Sequence, residues 1–185
     1  MGILKEPAVF IEQLHLPHGF SVCELGDQWV TWTDPHELAE AWYRRLGCAR
    51  YCSIDGNGRG TIMADLNLPL VRPRKPFDLV TDFGTGEHVF DQAQVWRTLH
   101  SLTRPGGYLA FDRPVQGYRQ HCYYLTDECL FRDLAAANAY DIVQLARQIT
   151  PRGELIRGIF RRPKDRAAFR VPQQGRYHKS LVIPC

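Results

Sequence analysis

Short apolar runs and helical patterns follow one another through most of the chain. Phe20 to Leu25 (FSVCEL) is an apolar run ending at Gly26, which predicts a buried strand whose carboxyl end opens into a loop. Asp34, Pro35 and Glu37 then supply an N-cap, a proline at the first helical position and a glutamate at the third, predicting a helix over 35–46 that stops at Gly47. Arg50 to Ile54 (RYCSI) predicts a second strand closed by Asp55, and a glycine-rich turn, 56–60, leads to a brief third strand over 61–64, closed by Asp65. A proline-punctuated connection (LPLVRPRKP) precedes a fourth strand at Phe77 to Thr81. Val89, Val95, Trp96 and Leu99 then share one face of a helix over 88–102. Pro105-Gly106-Gly107 turns the chain into a fifth strand over 108–111, a helix follows over 127–139, and strands over 142–147 and 155–161 close the series with no room for a helix between them.

Strand and helix in alternation, ending in two consecutive strands, predict an α/β three-layer domain: a parallel sheet carrying a final antiparallel hairpin. Composition agrees. With 185 residues, 44% hydrophobic and 23% charged, the chain suits one folded domain, read as a short segment over 1–19, a core over 20–162 and a basic tail over 163–185. No stretch approaches the roughly 20 apolar residues that span a bilayer, and MGILKEPAVFIEQLH lacks the uninterrupted apolar run of a secretory signal, so a cytoplasmic protein without a membrane partner is expected. Six cysteines without a C-x-x-C knuckle read as reduced thiols, and no bound metal is expected. Between Arg157 and Cys185 eight basic residues face one acid, Asp165. Such a segment could dock nucleic acid, but without a nucleic-acid motif the favoured reading is a solvated edge strand and tail.

The chemistry gathers at the carboxyl ends of the predicted strands, where ligands bind in such sheets. Glu24, Asp55 and Asp65 lie at the ends of the first three strands. In that order they suit an ammonium group, a pair of ribose hydroxyls and an exocyclic amine; the plainer alternative is ordinary loop acids. The first strand-to-helix turn reads Gly26-Asp27-Gln28-Trp29, with one glycine and then an acid, so it is no pyrophosphate cradle. The glycines of 56–60 precede an extended segment rather than a helix, and Asp82-Phe83-Gly84 has no kinase context around it.

VCELGDQ, SIDG, MADLN, FDLVTDFGTGEHVFDQ and LTRPGGYLAF resemble, in order, the successive motifs of class I S-adenosylmethionine-dependent methyltransferases, over about 20–162. The resemblance implies a three-layer Rossmann-like sandwich with a mostly parallel seven-stranded sheet, and S-adenosylmethionine as cofactor. By the same resemblance Glu24 and Gly26 hold the methionine end and Asp55 the ribose, and Asp27, Gln28 and Gly56 beside them are further candidate cofactor-binding residues. Asp65 and Leu66 contact adenine, and the loop from Asp82 and Phe83 to His88 faces both cofactor and acceptor. The family's first motif carries more glycines than this chain, which keeps Gly26 alone there.

His88 and His121 follow the fourth and fifth strands and are the candidate catalytic residues, since a base assists transfer to a hydroxyl or a protonated amine. Trp29, Trp32, Phe83, Tyr118, Tyr123 and Tyr124 are candidates for stacking on the adenine or walling the acceptor. Little chain is left for substrate-recognition insertions, which points to a small-molecule acceptor, or to a homo-oligomer or partner protein that completes the site. Three readings stay open: a methyltransferase for a small hydroxyl or amine acceptor, a degenerate cofactor-binding fold serving as a structural or partner-binding module, and a nucleic-acid-modifying enzyme using the basic tail.

Overall fold

The computed structural model describes residues 2–71 and 75–173. Its strands are β1 (Gly2–Ile3), β2 (Ser21–Leu25), β3 (Trp29–Val30), β4 (Glu37–Leu38), β5 (Arg50–Asp55), β6 (Ile62–Met63), β7 (Phe77–Phe83), β8 (Thr103–Gly117), β9 (Asp141–Thr150) and β10 (Gly153–Arg161). The helices are α1 (Lys5–Glu12), α2 (Ala39–Arg45), α3 (Gln92–Leu102) and α4 (Glu128–Asn138), with a 3-10 turn at Gly86–His88. Seven strands form one sheet in the order β6-β5-β2-β7-β8-β10-β9. The first five run parallel; β10 is antiparallel to β8 and β9 antiparallel to β10. A small second sheet joins β1 parallel and β4 antiparallel to β3.

Alternation along each strand assigns side chains to the two faces. Val22, Leu79, Ala110 and Ile159 pack with Ile11 of α1 and with Trp42 and Tyr43 of α2. Cys23, Leu25, Val80, Leu109, Phe111 and Phe160 pack with Trp96 and Leu99 of α3 and Phe131 of α4. Here Phe111 stacks on Phe131 at 4.4 Å, and Trp96 meets both edge-on at 5.5 and 5.9 Å. Burying one such aromatic ring contributes about 1.5–3 kcal/mol, so this cluster pins α3 and α4 across the carboxyl-terminal half of the sheet.

Four sequence expectations need correction. The strand expected over 108–111 after a turn at Pro105-Gly106-Gly107 is part of the longer β8, which includes those three residues. The helix expected from Pro35 begins at Ala39, because Glu37 and Leu38 pair with β3 and the Glu37 N–H is taken by the Thr33 hydroxyl at 3.1 Å. The helix expected from His88 begins at Gln92; Asp91 is its cap, accepting from the Gln94 N–H at 2.8 Å, and His88 belongs to the 3-10 turn before it. The basic segment is not uniformly solvated. Arg157 is buried against Asp112 at 3.0 Å, and Arg162 caps the end of α3 by donating to the carbonyls of His100 (2.8 Å) and Thr103 (2.6 Å). Beyond it, Asn138 of α4 exchanges two hydrogen bonds with the Arg170 backbone at 2.7 and 2.9 Å, so the chain lies along the α3–α4 layer. Arg176, Lys179 and Cys185 fall outside the described residues. No described helix is long and apolar enough to cross a membrane.

Candidate functional site

The loop after β2 turns on Gly26, whose φ of +90° an L side chain rarely adopts; a Cβ there would also overlap Thr85 Oγ1 and Gln28 Nε2. The space under the turn is filled from two sides. The Thr85 hydroxyl donates to the Leu25 carbonyl at 2.9 Å, and the buried Gln28 amide donates to Thr85 Oγ1 at 3.0 Å. Gln28 Oε1 is left buried and without a partner. Asp55, at the end of β5, ties this loop to its own: Oδ2 accepts the Asp27 N–H and Oδ1 the Asn57 N–H, each at 2.9 Å. After β6, Asp65 Oδ1 accepts from the Asn67 N–H (2.9 Å) and from Asn67 Nδ2 (2.8 Å), which hold its carboxyl below the usual carboxylate range.

These loops enclose a cleft of about 660 Å³ over the ends of β2, β5 and β6. Of the residues expected to bind a cofactor, Asp27, Gln28, Asp55, Gly56, Asp65 and Leu66 line it, as does His88. The size falls within the roughly 300–1,000 Å³ of cofactor sites. Each oxygen of Asp55 retains a lone pair beyond the backbone N–H it accepts.

Glu24, Asp82 and Phe83 do not line the cleft. Glu24 shares the face of Val22 and points into the α2 layer, where it is fully buried and its Oε2 accepts from the Tyr51 hydroxyl at 2.7 Å. Burial pushes its carboxyl up to about 8, so at neutral pH it carries a proton and offers no charge to an ammonium group. Asp82 is also fully buried and is spent on the loop that follows: Oδ1 accepts the Gly86 N–H at 2.9 Å and Oδ2 pairs with Arg113. Gly86 passes so close to this pair that a Cβ would overlap the Arg113 guanidinium. Arg113, 1% exposed, also reaches Glu87 at 3.3 Å; burial raises the Glu87 carboxyl to about 7 against the pull of the arginine.

Phe83 lines a second chamber, of about 490 Å³, on the other side of the Gly84–His88 loop, and so does His121. Its walls include Leu4, Pro114, Tyr118 and Leu155, with Glu87 and Asp112 as the acids among them. Burial raises Asp112 to about 7 although Arg157 pairs with it. His88, facing the cleft, and His121, facing the chamber, meet edge-to-face with ring centroids 4.9 Å apart. Burial, then His121 and Arg113, hold the His88 pKa down. Of the other aromatic candidates, Tyr118 lines the chamber, Trp32 packs edge-on to Trp42, and Tyr123 and Tyr124 cluster with Phe90.

Sequence reasoning missed Arg113, Arg157 and Thr85. Their partners are 31, 45 and 60 positions away along the chain, so no local pattern marks them. The signal available was the Asp112-Arg113 dipeptide inside an apolar strand, since charges buried in a sheet need partners.

No family model and no curated protein matches the sequence. Solved structures do. One is the Burkholderia thailandensis 1,6-didemethyltoxoflavin-N1-methyltransferase with bound 1,6-didemethyltoxoflavin and S-adenosylhomocysteine, at 18% identity and a TM-score of 0.63 over 85% of this chain and 77% of that one. Others are the N-methyltransferase NodS of Bradyrhizobium japonicum (16%, TM-score 0.57, 86% and 98%) and an S-adenosylmethionine-dependent methyltransferase of Mesorhizobium loti (16%, 0.59, 84% and 98%). The chain has the class I, Rossmann-like methyltransferase fold, with its parallel sheet and antiparallel terminal hairpin.

Proposed function

We propose that the protein is an S-adenosylmethionine-dependent methyltransferase whose cofactor occupies the cleft and whose small hydroxyl or amine acceptor occupies the apolar chamber. The observation that carries this reading is the meeting of the two cavities at one loop, with His88 on one side and His121 on the other. The cleft residues suit the cofactor: Asp55, at the end of β5, has lone pairs for ribose hydroxyls, and Asp65 and Leu66, after β6, offer an acceptor and an apolar contact for an adenine. Bound there, S-adenosylmethionine would supply an electrophilic methyl on a sulfonium, to be taken by the acceptor's lone pair with return of the C–S electron pair to sulfur and release of the acceptor's proton. The chain's own contribution is mainly positioning, which can supply about 7–11 kcal/mol of such a barrier. Asp82, Arg113 and Gly86 fix the loop that carries Glu87 and His88, and His88 and His121, at the meeting of the two cavities, are the side chains suited to take an acceptor proton.

One observation favours the alternative of a partner-binding module. The Gln28 side chain fills the space that additional glycines would leave open under the first loop. Calorimetric titration with S-adenosylmethionine and S-adenosylhomocysteine separates the two. The expected result is one site per chain, weakened at least tenfold in Asp55→Ala; a folded protein that takes up neither ligand leaves the module reading standing.

A further inference from the structure

The wall between the two cavities holds a set of donors that methyl transfer alone does not require. Glu87 and His88 are consecutive in the 3-10 turn, which is fastened by the Gly86 N–H to Asp82 and by Gln92 Nε2 donating to the carbonyls of Gly86 (2.7 Å) and Val89 (2.6 Å). His121 sits in a turn closed by its own N–H to the Tyr118 carbonyl at 3.1 Å. The Tyr123 N–H, donating to the Glu87 carbonyl at 3.1 Å, ties that turn to the first.

We infer that Glu87, His88 and His121 form a three-ligand site for a first-row divalent cation of the zinc type, with its remaining position open to the apolar chamber. The donor atoms all lie within 4.8 Å of one another. Ligands at zinc distances of 2.0–2.1 Å stand about 3.3 Å apart, so a cation would draw the three donors closer together, and His121 is the exposed member of the set. His88 Nε2 is buried without a hydrogen-bond partner, a costly state for a ring nitrogen unless a ligand uses it. Glu87 keeps Arg113 as an outer partner, because a carboxylate has lone pairs for both, and that contact fixes its orientation toward a metal. The Cys122 thiol points away, to the Tyr124 carbonyl at 3.2 Å. Two imidazoles and one carboxylate suit zinc and its neighbours rather than calcium or magnesium, and three protein ligands with one open position is the arrangement of catalytic rather than structural zinc. The Cys-rich spacing of structural sites is no guide to ligands drawn from two separate turns.

The cation's role, unlike its site, rests on the methyltransferase reading. An acceptor hydroxyl or amine in the chamber would bind at the open position and become more acidic there, with the two imidazoles serving as ligands instead of proton acceptors.

The test uses the full chain, stripped with a chelator and dialysed, then titrated with Co²⁺ followed by its visible spectrum and with Zn²⁺ by equilibrium dialysis. One equivalent of each is expected, with at least tenfold weaker binding in His88→Ala and in His121→Ala, and wild-type binding in His36→Ala, which alters a histidine outside the cluster. Circular dichroism reports the fold of each variant. Metal uptake by the His88→Ala/His121→Ala double variant equal to wild type, or equal losses in His36→Ala, overturns the site. A parallel S-adenosylmethionine titration keeps the two readings apart. Cobalt bound without cofactor affinity supports the site and removes the methyltransferase; cofactor bound without cobalt removes the site alone.

Discussion

Replacing Glu24 by glutamine tests whether this carboxyl is a cofactor ligand or a neutral member of the sheet's interior. Its pKa is raised from 4.5 to about 8, first by desolvation, with the Tyr51 hydroxyl acting in the opposite direction. The folded protein therefore retains a proton that the unfolded chain has lost, and stability falls as pH rises from about 4.5 to about 8, levelling off above. Each tenfold change in proton affinity is worth about 1.4 kcal/mol, so the loss across that window is on the order of 5 kcal/mol. Glutamine is neutral, nearly isosteric and able to accept from Tyr51. Glu24→Gln should match wild type within about 1 kcal/mol near pH 4.5 and exceed it by several kcal/mol at pH 9. For a chain of this length that is roughly 10 °C or more in melting temperature at the higher pH. Urea unfolding at the two pH values is the assay, and the difference between the proteins cancels all other titrating groups. Identical pH slopes for the two would refute the burial argument. Cofactor affinity should change less than threefold; a hundredfold loss in a folded variant would place Glu24 in contact with the ligand instead.

Arg113→Met leaves Asp82 and Glu87 as buried acids without their cation, and breaking a buried pair costs about 3–5 kcal/mol, so chemical denaturation should show a large loss. Adding Asp82→Asn to it should recover part of that loss, whereas additive losses would mean the pair is not coupled. Gly26→Ala should weaken cofactor binding and lower stability together, since the turn needs a positive φ and leaves no room beside Thr85; calorimetry and a melting curve on the same sample check both.

The succession of the seven main-sheet strands along the chain, the antiparallel end of the sheet and the placing of Asp55 and Asp65 on the cleft were legible because each depends on local pattern and on which end of a strand a residue occupies; the small sheet of β1, β3 and β4 was not. Side-chain direction was not. Glu24 and Asp82 both stand near strand ends, yet the pleat turns one into the α2 layer and the other onto Arg113, and a shift of one position decides which. The start of α2 was misread for a related reason. Asp34-Pro35 carries a strong local helix signal, but pairing of Glu37 and Leu38 with β3, residues that come earlier in the chain, overrides it. The meeting of His88 and His121 depends on two loops whose conformations are set by buried partners far away in sequence, and no spacing announces it.

β8 does not stop where its neighbour β7 stops. It continues from Asp112 to Gly117 beside β10, so part of the apolar chamber is walled by paired strand, through Pro114 and Leu155, rather than by free loop. Outside the β-bulge between Glu154 and Leu155, such a wall is held by backbone pairing as well as by its side chains. In the proposed reading, the shape offered to an acceptor would be re-cut one residue at a time, by enlarging or trimming Pro114 or Leu155, without insertions. Among descendants of such a chain, change in what the chamber accepts would accumulate as point substitutions on a constant frame.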